Sequence, residues 1–261
     1  MAIHTDISGR QAEIADLVQK SGFASVEDLA ERFEVTTQTI RRDVNGLCEL
    51  GILRRTHGGV ESPPGNIHYN TRKILNLTAK TRIADAAAAL IGNGQSLAFS
   101  IGTTPEIVMQ ALGGHRDLRV FTNNLNVAFN ASNHSSFQVT IAGGRLRPGD
   151  RDVLGTAAEE FFGRYKVDIG IFGVAGVDED GTLLDFHEEE AAARESILAN
   201  CRQSFLVLDA TKFSRPAYVR AGHIRDVSHI ITDHPLPDGV ARGLHADKTT
   251  VVVADQKEGA S

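Results

Sequence analysis

The sequence predicts a two-domain α/β protein, in which a small helical domain with a β-hairpin precedes a larger domain built on a mostly parallel sheet. Three observations support this prediction. Residues 61–70, ESPPGNIHYN, contain two prolines and a glycine, which neither a helix nor a central strand accommodates. Helical periodicity dominates before this segment. After it, short β-rich runs alternate with helical segments, which is typical of a parallel sheet.

The residues before the proline-rich segment predict three short helices and a hairpin. Ser25 and Thr36 are good N-caps for the second and third helices, and Gly22 and Gly51 end the first and third. The third helix has an apolar stripe that a folded core would bury. The predicted elements are helices over residues 11–20, 26–33 and 37–50 and a hairpin within residues 52–61.

After the proline-rich segment, the apolar runs predict buried parallel strands with helices between them. The strands are predicted at 96–100, 118–122, 137–142, 168–174, 204–209 and 229–232. The helices are predicted at 72–91, 105–112, 125–132, 157–165 and 188–200. In such sheets ligands bind at the carboxyl ends of the strands, so we expect a ligand site there.

The composition of the whole chain is typical of a folded globular protein. Of its 261 residues, 41% are hydrophobic and 23% are charged. The formal net charge of −6 argues against indiscriminate binding of polyanions by the whole surface. We see neither a signal-peptide core nor the roughly 18 uncharged apolar residues of a membrane span. Cys48 and Cys201 lack metal-ligand spacing, so we expect a cytoplasmic protein with reduced thiols and no metal site.

The third helix and the hairpin concentrate arginine in an otherwise acidic domain. Residues 8–61 contain seven basic and nine acidic side chains, but residues 36–59 contain four arginines and only two acids. Two helices and a turn followed by a hairpin predict a winged helix–turn–helix, whose second helix enters the major groove of DNA. We expect DNA contacts from Thr37, Gln38, Thr39, Arg41 and Arg42 on the helix and from Arg54, Arg55 and His57 on the hairpin. A helical bundle with solvated arginines is the alternative.

A second candidate site begins at the segment FSIGTTPEIV, residues 99–108. A strand ends, a Gly-Thr-Thr turn follows, and Pro105 stands at a typical first helical position. The backbone N–H groups and two hydroxyls of this turn would point at one spot, which the helix dipole makes favourable for an anion. The segment therefore predicts an anion cradle, although the same turn can simply cap a helix.

Polar side chains follow several other strands and would meet the same crevice. The segments are TNN (122–124), AGGRLR (142–147), GVAGVDEDG (173–181) and LDATKF (208–213). We expect Lys212 and one of Arg145 or Arg147 to neutralise an anionic group. Asn123, Asn124 and Asp178 are candidates for binding hydroxyls. Each segment alone could be an ordinary turn.

Both halves resemble the DeoR family of bacterial repressors. The segment TTQTIRRDVNGLCELGILRRTHGG is similar to the family's N-terminal signature, in which T-I-R-R-D precedes a G-x-L-x-R-x-H-G-G wing. The segments IGTTPE, TNNLNVA, AGGRLR, DGTLLDF and DATKF are similar to its sensor domain, which itself looks like ribose-5-phosphate isomerase. The resemblance extends from about residue 10 to residue 235.

The resemblance implies a repressor of a sugar or polyol catabolic operon, acting as a homo-oligomer (dimer or tetramer) on double-stranded operator DNA. It implies release by a phosphorylated sugar or polyol such as glycerol 3-phosphate, with no cofactor. Gly102, Thr103 and Thr104 would cradle the phosphate. The other implied pocket residues are Asn123, Asn124, Gly144, Arg145, Asp178 and Lys212.

The resulting organisation is a DNA-binding domain, a linker, a sensor domain and a C-terminal strand with a tail. Their predicted limits are 6–61, 62–71, 72–236 and 237–261. One alternative function stays open at this point. Arg194 and Glu195 stand where isomerases carry Arg-Glu, and Glu195 or Asp178 could act as the base of an aldose–ketose isomerase, with Lys212 stabilising the enediolate. Repression without catalysis is our expectation.

Overall fold

The computed structural model describes residues 7–61, 63, 69–244 and 248–254. The chain divides into two compact units, Met1–Asn76 and Leu77–Ser261. Most of the predicted linker (62–71) lies outside the described residues. Its last residues belong to a helix of the first unit, in which Thr71 Oγ1 donates a hydrogen bond to the carbonyl of Leu50.

The first unit has the three predicted helices, the hairpin, one strand that the sequence did not predict, and a last helix that overlaps the start of the helix predicted at 72–91. Its elements are α1 (Gly9–Ser21), β1 (Phe23–Ser25), α2 (Val26–Arg32), α3 (Thr37–Glu49), β2 (Arg54–Thr56), β3 (Gly59–Glu61) and α4 (Tyr69–Ile74). Ser8, Ser25 and Thr36 cap the first three helices with their hydroxyls. The hairpin pairs with β1 in the strand order β1-β3-β2, so the hairpin has a third strand beside it.

The second unit contains the predicted parallel sheet. Its elements are α5 (Leu77–Ala89), β4 (Ser96–Phe99), α6 (Thr103–Ala111), β5 (Arg119–Thr122), α7 (Leu125–Ser132), β6 (Gln138–Ile141), β7 (Leu146–Arg147), β8 (Asp152–Val153), α8 (Thr156–Gly163), β9 (Val167–Phe172), β10 (Gly176–Val177), β11 (Thr182–Asp185), α9 (Glu188–Ala199), β12 (Cys201–Val207), β13 (Val219–His223), β14 (His229–Thr232), α10 (Asp238–Arg242) and β15 (Thr250–Val253). Seven strands pair in the order β15-β14-β12-β9-β4-β5-β6, and every pairing is parallel.

Helices cover both faces of this sheet because its strands are apolar on both sides. Leu97 and Phe99 of β4 join the core formed with α5, α6 and α7. Ala98, between them, joins the opposite core with Phe162 of α8 and Ile197 of α9. This alternation along one strand fixes the three-layer arrangement. The carboxyl ends of β4, β5, β9 and β12 therefore share one edge of the sheet.

Two sequence-based expectations need correction. Residues 72–91 form two helices rather than one, because Asn76 adopts a left-handed conformation (φ 54°) between α4 and α5. The helix expected to begin at Pro105 begins at Thr103. Proline is tolerated there because an N–H in the first helical turn has no partner within the helix. Among the described residues, no helix is long and apolar enough to cross a membrane.

Candidate functional site

The outer face of α3 presents the side chains that the sequence predicted for DNA contact. Ile40, Val44 and Leu47 are buried in the core of the first unit. Thr37, Gln38, Arg41 and Arg42 are exposed, and Gln38 and Arg42 lie on the side of the helix away from these three residues. The helix is anchored from behind, since Arg10 on α1 forms an ion pair with Asp43 at 2.6 Å. Thr39 is half-buried, and its hydroxyl lies 3.0 Å from that of Thr36, so it supports the N-cap of the helix.

The hairpin places Arg54, Arg55 and His57 on the exposed surface of the same unit. Arg54 forms an ion pair with Glu61 across the hairpin. Arg55 donates to the side-chain oxygen of Asn45, which joins β2 to α3. His57 lies at the tip, between β2 and β3. The wing is therefore held against the recognition helix, and Arg41, Arg42 and His57 keep exposed side chains that a phosphate or a base could meet.

The predicted anion cradle lies at the carboxyl end of β4. Gly102 stands directly before the first residue of α6 and has a φ of 120°. Residues other than glycine rarely adopt this backbone conformation. Thr103 and Thr104 form the start of the helix, where N–H groups have no carbonyl of a preceding turn to bind. Both threonines are 6% exposed, so an anion held here would be largely removed from water.

Hydrogen bonds connect this cradle to the end of β5. Thr122 Oγ1 donates to the carbonyl of Phe99 at 2.9 Å, and the N–H of Asn124 donates to Thr122 Oγ1 at 3.0 Å. Asn124 Nδ2 donates to the carbonyl of Gly102 at 3.4 Å, and its Oδ1 accepts from the first turn of α7. The structure thus gives Asn124 the role of fixing the cradle loop, and its contact with an effector stays a prediction.

Asn123 follows β5 directly and is fully buried. Its Nδ2 donates to the carbonyl of Val153 at 2.8 Å. Its Oδ1 is buried and has no hydrogen-bond partner among the described residues. Gly144 packs directly on Val153, because a Cβ at position 144 would lie 2.8 Å from Val153 Cγ1. A buried acceptor of this kind is costly unless a donor reaches it.

Arg145 and Arg147, the two candidates for neutralising an anion, have different surroundings. Arg147, on β7, forms ion pairs with Asp150 (3.1 Å), Asp152 (2.7 Å) and Glu190 (2.7 Å). Burial works to lower the pKa of Arg147, but hydrogen bonds and charge from Asp152 and Glu190 outweigh it and raise the pKa. These three carboxylates therefore neutralise the charge of Arg147. Arg145 is exposed, which leaves it as the candidate for anion binding.

Lys212 lies beside a buried carboxylate at the carboxyl end of β12. Asp209 is 1% exposed and accepts hydrogen bonds from the N–H and hydroxyl of Thr211. Burial works to raise the pKa of Asp209, but the charges of Lys212 and Lys80 outweigh this effect and hold the pKa below its usual value. Lys80 is 4% exposed on α5. Two lysines thus lie close enough to this carboxylate to stabilise its charged form.

The strand ends come together around Gly173, which follows β9. A Cβ at this position would lie 3.5 Å from the carbonyl oxygen of Val207 and 3.7 Å from the Pro105 ring. The ends of β9 and β12 and the start of α6 are therefore in contact. Asp178 lies further out, at the exposed tip of the β10–β11 turn, where its carboxylate accepts from the N–H of Glu179. The residue before it, Val177, bridges to Phe213, next to Lys212.

Comparison with known families assigns both units. Residues 10–64 match the DeoR-like helix-turn-helix domain. Residues 75–234, more than half of the chain, match the DeoR C terminal sensor domain. The chain belongs to the DeoR family. The predicted fold class, a winged helix–turn–helix followed by a parallel α/β sensor domain, is thereby confirmed.

Two DeoR-family relatives are similar over nearly their whole length. The chain is 42% identical to the glycerol-3-phosphate regulon repressor of Haemophilus influenzae over 250 residues, which cover 95% of this chain and 97% of that protein. It is 41% identical to the Escherichia coli K12 protein of the same name over 237 residues, 90% of this chain and 94% of that one. Ribose 5-phosphate isomerase A of Methanocaldococcus jannaschii is 15% identical over 54% of this chain and 56% of that one, with a TM-score of 0.40. That likeness carries no functional conclusion.

The chain is a DeoR-family transcriptional repressor and not an enzyme, so the isomerase alternative is wrong. The structure supplies a physical reason for setting Glu195 aside, because this residue is exposed on the outer face of α9. Its neighbour Arg194 is the buried member of the pair. It forms an ion pair with Asp185 and donates to the carbonyl of Gly173, so it holds the loop after β9.

The structure adds residues that the sequence analysis did not identify. Lys80 lies on the buried stripe of α5, three and four residues before Ile83 and Ala84. Helical periodicity in the sequence could have indicated that this lysine is buried. Asp209 stands in the segment LDATKF, in which only Lys212 was predicted to take part in binding. Of the three partners of Arg147, Glu190 of α9 is distant in sequence, and no local pattern indicates it.

Proposed function

We propose that this DeoR-family repressor controls a sugar or polyol catabolic operon and leaves its operator when a phosphorylated polyol or sugar binds the sensor crevice. Glycerol 3-phosphate is the effector we favour, because two relatives above 40% identity are named for the glycerol-3-phosphate regulon. The observation that supports the site most is the hydrogen-bonded path from Gly102 through Asn124 and Thr122 to Phe99. A repressor of this kind acts where its operator DNA lies, so we expect it in the cytoplasm.

The cradle would hold the phosphate by its backbone. Thr103 and Thr104 offer N–H groups at the positive end of the α6 dipole, where a dianion is stabilised. Lys212 and Arg145 would supply side-chain charge, which makes hydrogen bonds to phosphate stronger than neutral ones. These groups favour a phosphorylated ligand over its neutral parent.

Asn123 would distinguish a hydroxyl-bearing ligand from a bare phosphate. Its amide nitrogen is already engaged with Val153, and its buried oxygen can only accept. A polyol or sugar hydroxyl is the donor that this oxygen requires. Gly144 packs against Val153, the residue whose carbonyl accepts from Asn123, and this contact leaves no room for a side chain at position 144.

Effector binding would be transmitted through the first helix of the sensor unit. α5 begins at Leu77, directly after the first unit, and carries Lys80 beside Asp209. An anion arriving near Lys212 changes the charge balance of this lysine–aspartate cluster. The position of α5 then depends on occupancy, and α5 is covalently joined to the unit that binds DNA. A coupling of about 1–3 kcal/mol, a factor of roughly 5–150 in operator affinity, is the usual range.

A thermal-shift screen tests the effector class. At a ligand concentration about 100-fold above Kd, a ligand that binds only the folded state stabilises it by about 2.7 kcal/mol. That raises the Tm by roughly 5–10 °C for a unit of this size. We expect this shift with glycerol 3-phosphate or a related phosphorylated polyol and not with glycerol. Inorganic phosphate controls for the phosphate alone. Equal shifts with phosphate and with every phosphorylated compound would contradict recognition of the hydroxyls.

A further inference from the structure

One segment of the sensor unit lacks charge altogether. Residues 120–144 contain no Asp, Glu, Lys or Arg, although these make up 23% of the chain. The segment includes α7 and β6, and β6 is an edge strand of the seven-stranded sheet. Proteins usually guard such an edge with charged side chains, because its unpaired backbone groups can pair with another strand. This edge has no such guard.

Apolar side chains are exposed along the same segment. Ile141 of β6 is 42% exposed, and Phe129 of α7 is 70% exposed. α7 packs on the face of the sheet that carries Val139. Depletion of charge together with an exposed aromatic residue is the compositional signature of a protein interface.

The hydrogen bonds of β6 show which of its backbone groups are outward. The N–H of Gln138 donates to the carbonyl of Leu118 at 2.9 Å, and that of Ala142 donates to Thr122 at 2.8 Å. Backbone groups alternate in direction along a strand, so Thr140 also faces β5. Val139 and Ile141 therefore direct their N–H and C=O groups away from the sheet.

We propose that β6 is the site at which two copies of this chain associate, by antiparallel pairing about a two-fold axis at Thr140. In this register Val139 stands opposite Ile141 of the second copy, and each pair exchanges two backbone hydrogen bonds. Thr140 faces its own counterpart in the intervening pair without backbone hydrogen bonds. The two copies of α7 become neighbours on one face of a continuous sheet.

The chemistry of the edge favours a second copy over another protein. An uncharged surface meets itself across a two-fold axis without like-charge repulsion, and a Thr–Thr pair and a Val–Ile pair are favourable cross-strand neighbours. Helix–turn–helix proteins read paired half-sites as symmetric dimers. The opposite edge, β15, also exposes Val251 and Val253. In the sequence, however, Asp247, Lys248 and Asp255 flank that strand, as guarded edges are flanked.

Charge placed on the axis tests the pairing in the absence of DNA and effector, so the result is independent of the proposed function. T140K would place two lysines opposite each other, and we expect it to weaken self-association by at least about tenfold in sedimentation velocity. T250K is the matched control, since Thr250 is also exposed on an edge strand of the same sheet. Mixing the T140K and T140E chains should restore association. Unchanged association of T140K, or an equal loss in T250K, would overturn the proposal.

A cysteine pair gives a second readout that does not depend on weakening the protein. Opposed residues at such a pair have Cα atoms about 4.5 Å apart, within the range that a disulfide requires. We expect T140C to form a covalent dimer under mild oxidation. The unmodified chain, with Cys48 and Cys201 half-buried, and T250C should not do so. Failure of T140C to cross-link while the protein self-associates would place the interface elsewhere.

Discussion

Replacing Arg41 and Arg42 together with alanine is expected to weaken operator binding by at least about 30-fold while leaving effector binding unchanged. Both side chains are exposed on α3, outside the buried stripe of Ile40, Val44 and Leu47. An arginine that makes a bidentate contact with guanine contributes about 1–3 kcal/mol, so losing two costs at least about 2 kcal/mol. Fluorescence anisotropy with labelled operator measures the loss.

Two controls separate base recognition from simple charge. The R41K/R42K variant keeps both charges but loses the planar fork that bonds a base edge in a bidentate manner. We expect it to lose discrimination between operator and random DNA while the salt dependence of binding stays near that of the unmodified protein. Removing two exposed arginines from the sensor unit, in the R116A/R164A variant, should leave operator affinity unchanged. Equal losses in R116A/R164A would show that total charge, and not α3, determines binding.

Replacing Lys212 with alanine is expected to give a repressor that binds its operator normally and no longer responds to effector. Lys212 is half-buried beside Asp209 at the crevice. A hydrogen bond to a charged group contributes about 1.5–3 kcal/mol, so effector affinity should fall about 10- to 150-fold. Asp209 keeps Lys80 as a neighbouring cation, and for this reason we expect the fold to survive. Calorimetric titration with glycerol 3-phosphate measures the affinity.

A lysine at the amino-terminal ends of the strands, away from the crevice, provides the matched control. Lys166 precedes β9 and donates to the carbonyl of Ala199, and the K166A variant should keep both operator binding and effector response. A K212A variant that lost operator binding as well as effector binding would indicate misfolding. A K212A variant with normal effector affinity would exclude Lys212 from the pocket.

Local patterns were sufficient to predict most of the fold. Thr36 caps α3 as its hydroxyl and position suggested, because an N-cap bond joins residues only three apart. The parallel strands were visible because strands buried on both faces are apolar throughout. β10 was not predicted because its two residues lie within the glycine-rich segment GVAGVDEDG, and the pairing of β11 with β13 joins segments that are distant in sequence. Glycine inside a helix is unfavourable, but Gly46 of α3 lies close to α1. A Cβ at this position would lie 3.1 Å from Gln11 Nε2.

The candidate site was predictable in its position but not in the roles of its residues. Strand order placed Gly102, Asn124 and Lys212 at one edge, as the rule for parallel sheets requires. Contacts between distant segments determine which polar side chains bond to other residues of the protein and which can bind a ligand. Arg147 is engaged by Glu190, 43 positions along the chain, and no spacing rule links them. Only the tertiary structure therefore shows which of the polar side chains have structural roles.

Operator affinity measured with and without effector tests the central claim most directly. Labelled operator is titrated with the unmodified protein at the glycerol 3-phosphate concentration that saturates the thermal shift. Occupancy of the crevice at Gly102–Thr104 should lower operator affinity by roughly 5- to 150-fold, and glycerol alone should leave it unchanged. The same affinity with and without saturating ligand would contradict effector-gated repression.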